Sequence, residues 1–289
     1  MIRAFYSGLF AQSGGASRRN KVLIRGTVST AILVILLWWL PTESLLLAIV
    51  SVPFKTWLLV IAGYIAGHLV SAYKWRLLLG AVDVLISGRE AIRAHAAGLF
   101  TNMCLPSIVG GDVVRAGLIV RDHKRIENVA LGSLADRISD TFALLLIAAV
   151  AGLLLPASEE IDAAYILSRL ALVLSGGVIA GFVIVRLVPI SRLSQKLQDI
   201  VLRIRVALDL LAGAPGTALL AFLMSVGIQG WFILLNILLA EQIGIEASAS
   251  LWFFAWPLAK LIAMAPISLG GIGVREAAIA GLMSPFGIK

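Results

Sequence analysis

"LPSIVGGDVVR", Leu105 to Arg115, sits in a chain of 289 residues that is 60% hydrophobic. A proline, two glycines, an acid and an arginine are unusual company in such a sequence. Proline removes a backbone donor, and glycine permits backbone geometry that other residues resist. The run therefore reads as a break in a helix. It recurs as "PISLGGIGVRE", Pro266 to Glu276. Pro106, Gly110, Gly111, Val114 and Arg115 align without a gap on Pro266, Gly270, Gly271, Val274 and Arg275, at a constant offset of 160.

Composition sets the solvent. Only 14% of residues are charged, mean hydropathy is +0.99, and apolar runs of spanning length recur. The expected fold is an all-α polytopic membrane protein. A net charge of +8 could point to nucleic acid. The basic residues, however, are spread between apolar runs, where they set orientation, so no nucleic-acid partner is expected. One cysteine, Cys104, excludes an intrachain disulfide. His68, His95 and His123 show no metal-ligand spacing, and there is no HExxH, GxSxG or Walker-type loop. Neither an enzyme activity, a metal nor a cofactor is expected.

Residues 1–25 carry Arg3, Arg18, Arg19, Lys21 and Arg25 with little acid, which predicts a cytoplasmic N-terminal segment. The apolar run that follows ends in "WWLPTE" without a cleavage site, so it is a retained first span. Residues 26–289 read as one transmembrane domain with five full spans, at about Gly26 to Leu40, Phe54 to Leu79, Val129 to Leu155, Tyr165 to Leu187 and Thr217 to Ala240. A short segment, Ser44 to Val52, reads as lying along the far interface. Lys74 and Arg76, at the end of span two, fit the positive-inside bias.

The two glycine motifs fall in interrupted segments. The first is flanked by Arg89 and Arg93 on one side and by Arg121, Lys124 and Arg125 on the other, which puts both ends in the cytoplasm. Its apolar part before Pro106 is about 12 residues, too short to cross. This predicts a re-entrant hairpin. The second interrupted segment runs from Leu251 through the break to the end. Three full spans separate the motifs, so the second hairpin enters from the opposite face. That is an inverted-topology repeat, with halves at roughly 26–128 and 164–289.

Irregular backbone at membrane depth is tolerated only where it is packed in protein or lines a wet cavity. The N–H groups of each outgoing half-helix, together with Arg115 and Arg275, suit an anion such as phosphate. The expected pocket is lined by Asn102, Ser107, Ser268 and the backbones of Gly110, Gly111, Gly270 and Gly271. Asp112, Asp136, Arg137, Asp140, Lys260 and Glu276 are further intramembrane charges that need partners. Asp136 and Asp140 lie one turn apart on one helix face. The alternative for Asp136, Arg137 and Asp140 is solvation near the inner interface. The small-xxx-small runs at Gly63/Gly67 and Gly177/Gly181 read as helix packing.

At "NMCLPSIVGGDVVR" (Asn102 to Arg115), "DR" (Asp136, Arg137) and "PISLGGIGVRE" the chain resembles the lysylphosphatidylglycerol synthase transmembrane-region family. This is the flippase-like membrane domain that also forms the front half of bacterial multiple peptide resistance factors. The resemblance implies translocation of a phosphate-bearing lipid, such as an aminoacylated phospholipid, across the bacterial inner membrane. Asp112, Arg115, Asp136, Arg137, Arg275 and Glu276 are the site residues carried over. No soluble aminoacyl-transferase domain accompanies them, so lipid synthesis is not expected. The outgoing arm from Val274 is short, and a neighbouring protomer in a homo-oligomer is one way to cover that flank. With no motif for an energy source, transport is either downhill or coupled to an ion gradient. The main alternative is a non-transporting accessory subunit for a lipid-modifying enzyme or glycosyltransferase. A polyprenyl-phosphate transferase fits less well, since no DxxD run with loop basics accompanies the acids.

Overall fold

A computed structural model describes residues 42–104, 110–123, 126–155, 194–264 and 273–288, with scattered positions between 169 and 189. The described residues are all-α, without a strand. In chain order the helices are α1 (Thr42–Ser51), α2 (Phe54–Ala81), α3 (Gly88–Cys104), α4 (Gly110–His123), α5 (Ile126–Leu153), α6 (Gln195–Gly213), α7 (Pro215–Gln242), α8 (Ala249–Ala263) and α9 (Val274–Met283). A 3-10 turn, Ser284–Phe286, follows. The expected first span, most of the fourth, and both breaks (105–109 and 265–272) lie outside the described residues. Ser107, Ser268, Gly270 and Gly271 fall there.

Helices α2 and α7 have 28 residues each and are long and apolar enough to cross a membrane. At 1.5 Å per residue each is about 42 Å long. Their apolar residues point outward as well as inward: Leu58, Leu59, Ile61, Ile65 and Leu69 of α2 are exposed. A helix that is apolar on every side belongs in lipid or a large core. Helix α5 has the same length but carries Asp136, Arg137 and Asp140 in its interior.

The interrupted segments are helical pairs, not straight helices. In the first, α3 of 17 residues packs along α4 of 14. Both are shorter than the roughly 20 residues a span requires. Gly98 faces the backbone of Gly111, where a Cβ would stand 2.8 Å from the carbonyl oxygen. In the second, α8 of 15 residues packs along α9 of 10.

The repeat extends well beyond the glycine motif. Helix α2 ends in a turn in which the Val84 N–H donates to Leu79 O at 2.9 Å, around Asp83 at φ 60°. Helix α7 ends in the same turn: the Ile245 N–H donates to Ala240 O at 3.0 Å, around Gly244 at φ 77°. Such a left-handed residue closes a helix by satisfying its last carbonyls. Four residues on, Ser87 caps α3 by accepting from the Glu90 N–H at 3.2 Å. Ser248 caps α8 by accepting from the Leu251 N–H, also at 3.2 Å. Helix start, left-handed turn and serine cap each recur 161 residues later (54 to 215, 83 to 244, 87 to 248). The offset of 160 at the motifs places a one-residue deletion in the second copy, between the serine cap and the glycines.

Helices α2 and α7, the two copies of the long helix, pack against each other. Gly63 and Gly67 make this possible, as the small-xxx-small pattern predicts. The Trp231 Nε1–H donates to Gly63 O at 2.9 Å. A Cβ on Gly67 would stand 2.4 Å from the ring of Phe232. Helix α5 lies against both, and α8 packs on it through Ala148, Ala151, Phe254 and Leu258.

Gly67→Ala forces that ring off its rotamer. It should lower stability by about 1–3 kcal/mol, read as unfolding in detergent, with recovery when Phe232→Leu is added.

Candidate functional site

The site starts from one lysine. Lys74 lies on α2, seven residues before its end and so about 10 Å inside it. Its side chain is 0% exposed. The ammonium pairs with Asp136 Oδ1 at 3.0 Å and with Asp140 Oδ1, and it donates to Ser225 Oγ of α7 at 2.8 Å. Ser225 in turn donates to Asp140 Oδ1 at 2.9 Å. Asp136 and Asp140 share one face of α5 because helical residues four apart are neighbours. One cation therefore ties three long helices together.

The first hairpin joins through Asp136. The Arg115 Nη2–H of α4 donates to Asp136 Oδ2 at 2.9 Å, and the guanidinium lies 4.4 Å from the centre of the Trp75 ring. Arg115 is also 3.6 Å from Asp112. Asp112 accepts from Arg137 Nη2 at 2.5 Å. Lys74, Arg115 and Arg137 thus balance Asp112, Asp136 and Asp140. Lys74, Arg115 and Asp136 are buried, whereas Asp112, Asp140 and Arg137 are partly open. Asp136 is therefore not solvated at an interface.

The N-terminus of α4 is partly occupied by its own chain. Asn102 Oδ1 accepts from the Gly111 N–H at 2.8 Å, and Asp112 sits in the first turn beside the positive helix end. Gly110 opens the helix. At α9 the arrangement is similar: Glu276 Oε2 accepts from the Gly273 N–H at 2.8 Å. Arg275 pairs with Glu276 Oε1 at 2.7 Å and lies 5.5 Å from the Trp256 ring centre. That pair is about half exposed. No contact joins Arg115 to Arg275 among the described residues; each is held by an acid of its own surroundings.

Lys260 lies in the last turn of α8, on the second interrupted segment. It donates to Gln229 Oε1 of α7 at 2.8 Å, and its charge is felt with those of Asp140, Arg137, Arg275 and Lys74. A polar seam continues along α2 and α7. The Asn236 Nδ2–H donates to the Tyr64 hydroxyl at 2.8 Å, and His68 stands 3.4 Å from His95 of α3.

Lys74 corrects the positive-inside reading. Its ammonium is not at a surface but is the centre of the charge network. "KWR" before an apolar triplet is ambiguous in one dimension, because both an interfacial cation and a buried one produce it. Ser225, Gln229 and Trp75 gave no signal either, being single residues in apolar or aromatic runs.

Removing one partner of a buried ion network strands the others, at a cost of about 3–5 kcal/mol. Lys74→Met should show that loss in detergent unfolding, and adding Asp136→Asn should recover part of it. If the single variant melts like wild type, the network does not hold these helices.

The comparisons with known proteins agree with this architecture. A family model described as "Lysylphosphatidylglycerol synthase TM region" matches residues 24–289. Neither a curated protein nor a solved structure matches the chain. The match runs through the long helices, both hairpins and the charge network, so the chain belongs to the lysylphosphatidylglycerol synthase transmembrane-region family, a membrane domain related to lipid handling.

Proposed function

We propose that the protein translocates a phosphate-bearing lipid across the bacterial inner membrane, with its N-terminus in the cytoplasm. The observation that carries this reading is the closed network of three cations and three acids, set inside long apolar helices and bonded to the first hairpin. A charge left alone inside the hydrocarbon is costly, up to roughly 2.5–3.5 kcal/mol at the bilayer centre even on the most lenient scale. Charges retained there in balanced form mark a polar route through the oil. The partly open members, Asp112, Asp140 and Arg137, give that route a mouth.

Two further features support a lipid. An open apolar cavity of about 480 Å³ runs along α5 from Ile138 and Ser139 to Ala149, with Ala218 and Phe222 of α7 on its other wall. It offers an acyl chain a place next to the polar mouth. The repeated helix, turn and hairpin supply the two halves that alternating access needs. On this reading they are an inverted-topology pair, rocking about the α2–α7 contact.

The test is reconstitution in phosphatidylcholine vesicles holding a trace of tail-labelled fluorescent phosphatidylglycerol, with dithionite as the external quencher. Wild type should expose both leaflets to the quencher. Asp136→Asn and Arg115→Ala should each slow exchange by about tenfold or more, the kinetic equivalent of roughly 1.4 kcal/mol. Full activity in both variants would remove the network from the pathway. Stable co-purification with a lipid-modifying enzyme or glycosyltransferase, with no exchange by the isolated protein, would favour an accessory subunit instead.

A further inference from the structure

Among the described residues the charge inventory of the site does not close, and the excess is one cation. Lys74, Arg115 and Arg137 are each within ion-pair distance of Asp112, Asp136 or Asp140. Arg275 is matched by Glu276. Among the described residues Lys260 has only an amide oxygen as partner, that of Gln229. No carboxylate of the described residues stands within ion-pair distance of it, and the breaks at 105–109 and 265–272 contain no ionisable side chain. The charges that reach it are those of Asp140, Arg137, Arg275 and Lys74, and each of these is already paired elsewhere. A partly buried ammonium facing a neutral amide, with Asp140 near but bonded to Lys74 and Ser225, has no counter-ion of its own, and burying such a charge is costly.

The acids are equally informative. Asp136 is taken by Lys74 and Arg115, Asp140 by Lys74 and Ser225, and Asp112 by Arg137. Glu276 is taken by Arg275 and the Gly273 N–H. A headgroup ammonium entering the site would find no free carboxylate among the described residues and five cations. A phosphodiester would find one free ammonium, with the Gln229 amide beside it.

We infer that Lys260 and Gln229 form the headgroup seat, and that it selects a lipid with one net negative charge, a phosphodiester carrying no ammonium of its own. This rests on the lipid-handling reading of the site and narrows it. An unmodified phosphatidylglycerol-type headgroup fits, whereas ethanolamine and aminoacylated headgroups, whose amines offset the phosphate, do not. Arg115, expected to grip the phosphate, is taken up by Asp136 and Asp112, and Arg275 by its chain neighbour Glu276.

The experiment is a lipid competition that does not depend on transport. Purified protein is equilibrated in mixed micelles with equimolar phosphatidylglycerol, phosphatidylethanolamine and lysylphosphatidylglycerol, re-isolated, and the retained lipid is quantified by mass spectrometry. Wild type should retain phosphatidylglycerol over either competitor by about tenfold, the lower range for a charge-assisted hydrogen bond. Lys260→Gln should abolish that preference and Lys260→Arg should keep it. Arg93→Gln removes the same charge from an exposed position of α3 and should also keep it, which excludes a general effect of net charge. Equal retention of the three lipids by wild type, or an unchanged preference in Lys260→Gln, overturns the inference. The wild-type comparison stands even if the variants do not fold. Selective retention without vesicle exchange would defeat translocation and leave this seat intact; exchange without selectivity would do the reverse.

Discussion

The ammonium of Lys74, held between the carboxylates of Asp136 and Asp140, is the contact on which the rest of the site depends. It sets the distance between α2 and α5 and reaches α7 through Ser225. Asp136 faces two cations at once, with Oδ1 in ion-pair contact with Lys74 and Oδ2 accepting from Arg115. Arg115 then fixes α4, and with it the first hairpin. In water such pairs contribute little. Away from water each member left alone is expensive, so the network enforces a single arrangement more than it adds stability.

The two hairpins are attached by different physics. The first is pinned by charge, through Arg115 on Asp136 and Arg137 on Asp112, with Trp75 stacked against the guanidinium. The second is held by apolar packing of α8 on α5 and by a single hydrogen bond from Lys260. Its arginine is half exposed and turned to its own neighbour. The repeat therefore conserves backbone, with the same helix length, left-handed turn and serine cap, while the side-chain chemistry has diverged. A charged contact is directional and resists sliding; an apolar face does not.

Much of the fold was legible because its signals are local. The two breaks follow from proline and glycine next to each other in apolar sequence, and α3, α4, α8 and α9 stop and start around them. The predicted spans two, three and five differ from α2, α5 and α7 by only a few residues at their ends. Gly63 and Gly67 announced a helix contact, since a small residue every fourth position leaves a groove for a neighbouring helix, and the structure supplies α7 as that neighbour. The repeated turn was harder to see. Asp83 and Gly244 are different residues performing one backbone task, so a residue-by-residue alignment does not reveal it.

The charged site was legible only in its membership. Sequence alone determined that this is a helical membrane chain with two interrupted segments, and that Asp112, Arg115, Asp136 and Arg137 need partners, because hydropathy, helix breaking and the cost of an intramembrane charge are properties of a residue and its near neighbours. Tertiary structure decided which partner each took. Lys74 and Asp140 are 66 positions apart, and Lys74 and Ser225 are 151 apart. Whether a lysine faces water, a carboxylate or an amide depends on how helices distant in sequence are brought side by side. That is why Lys74 became the centre of the network and Lys260 was left with an amide.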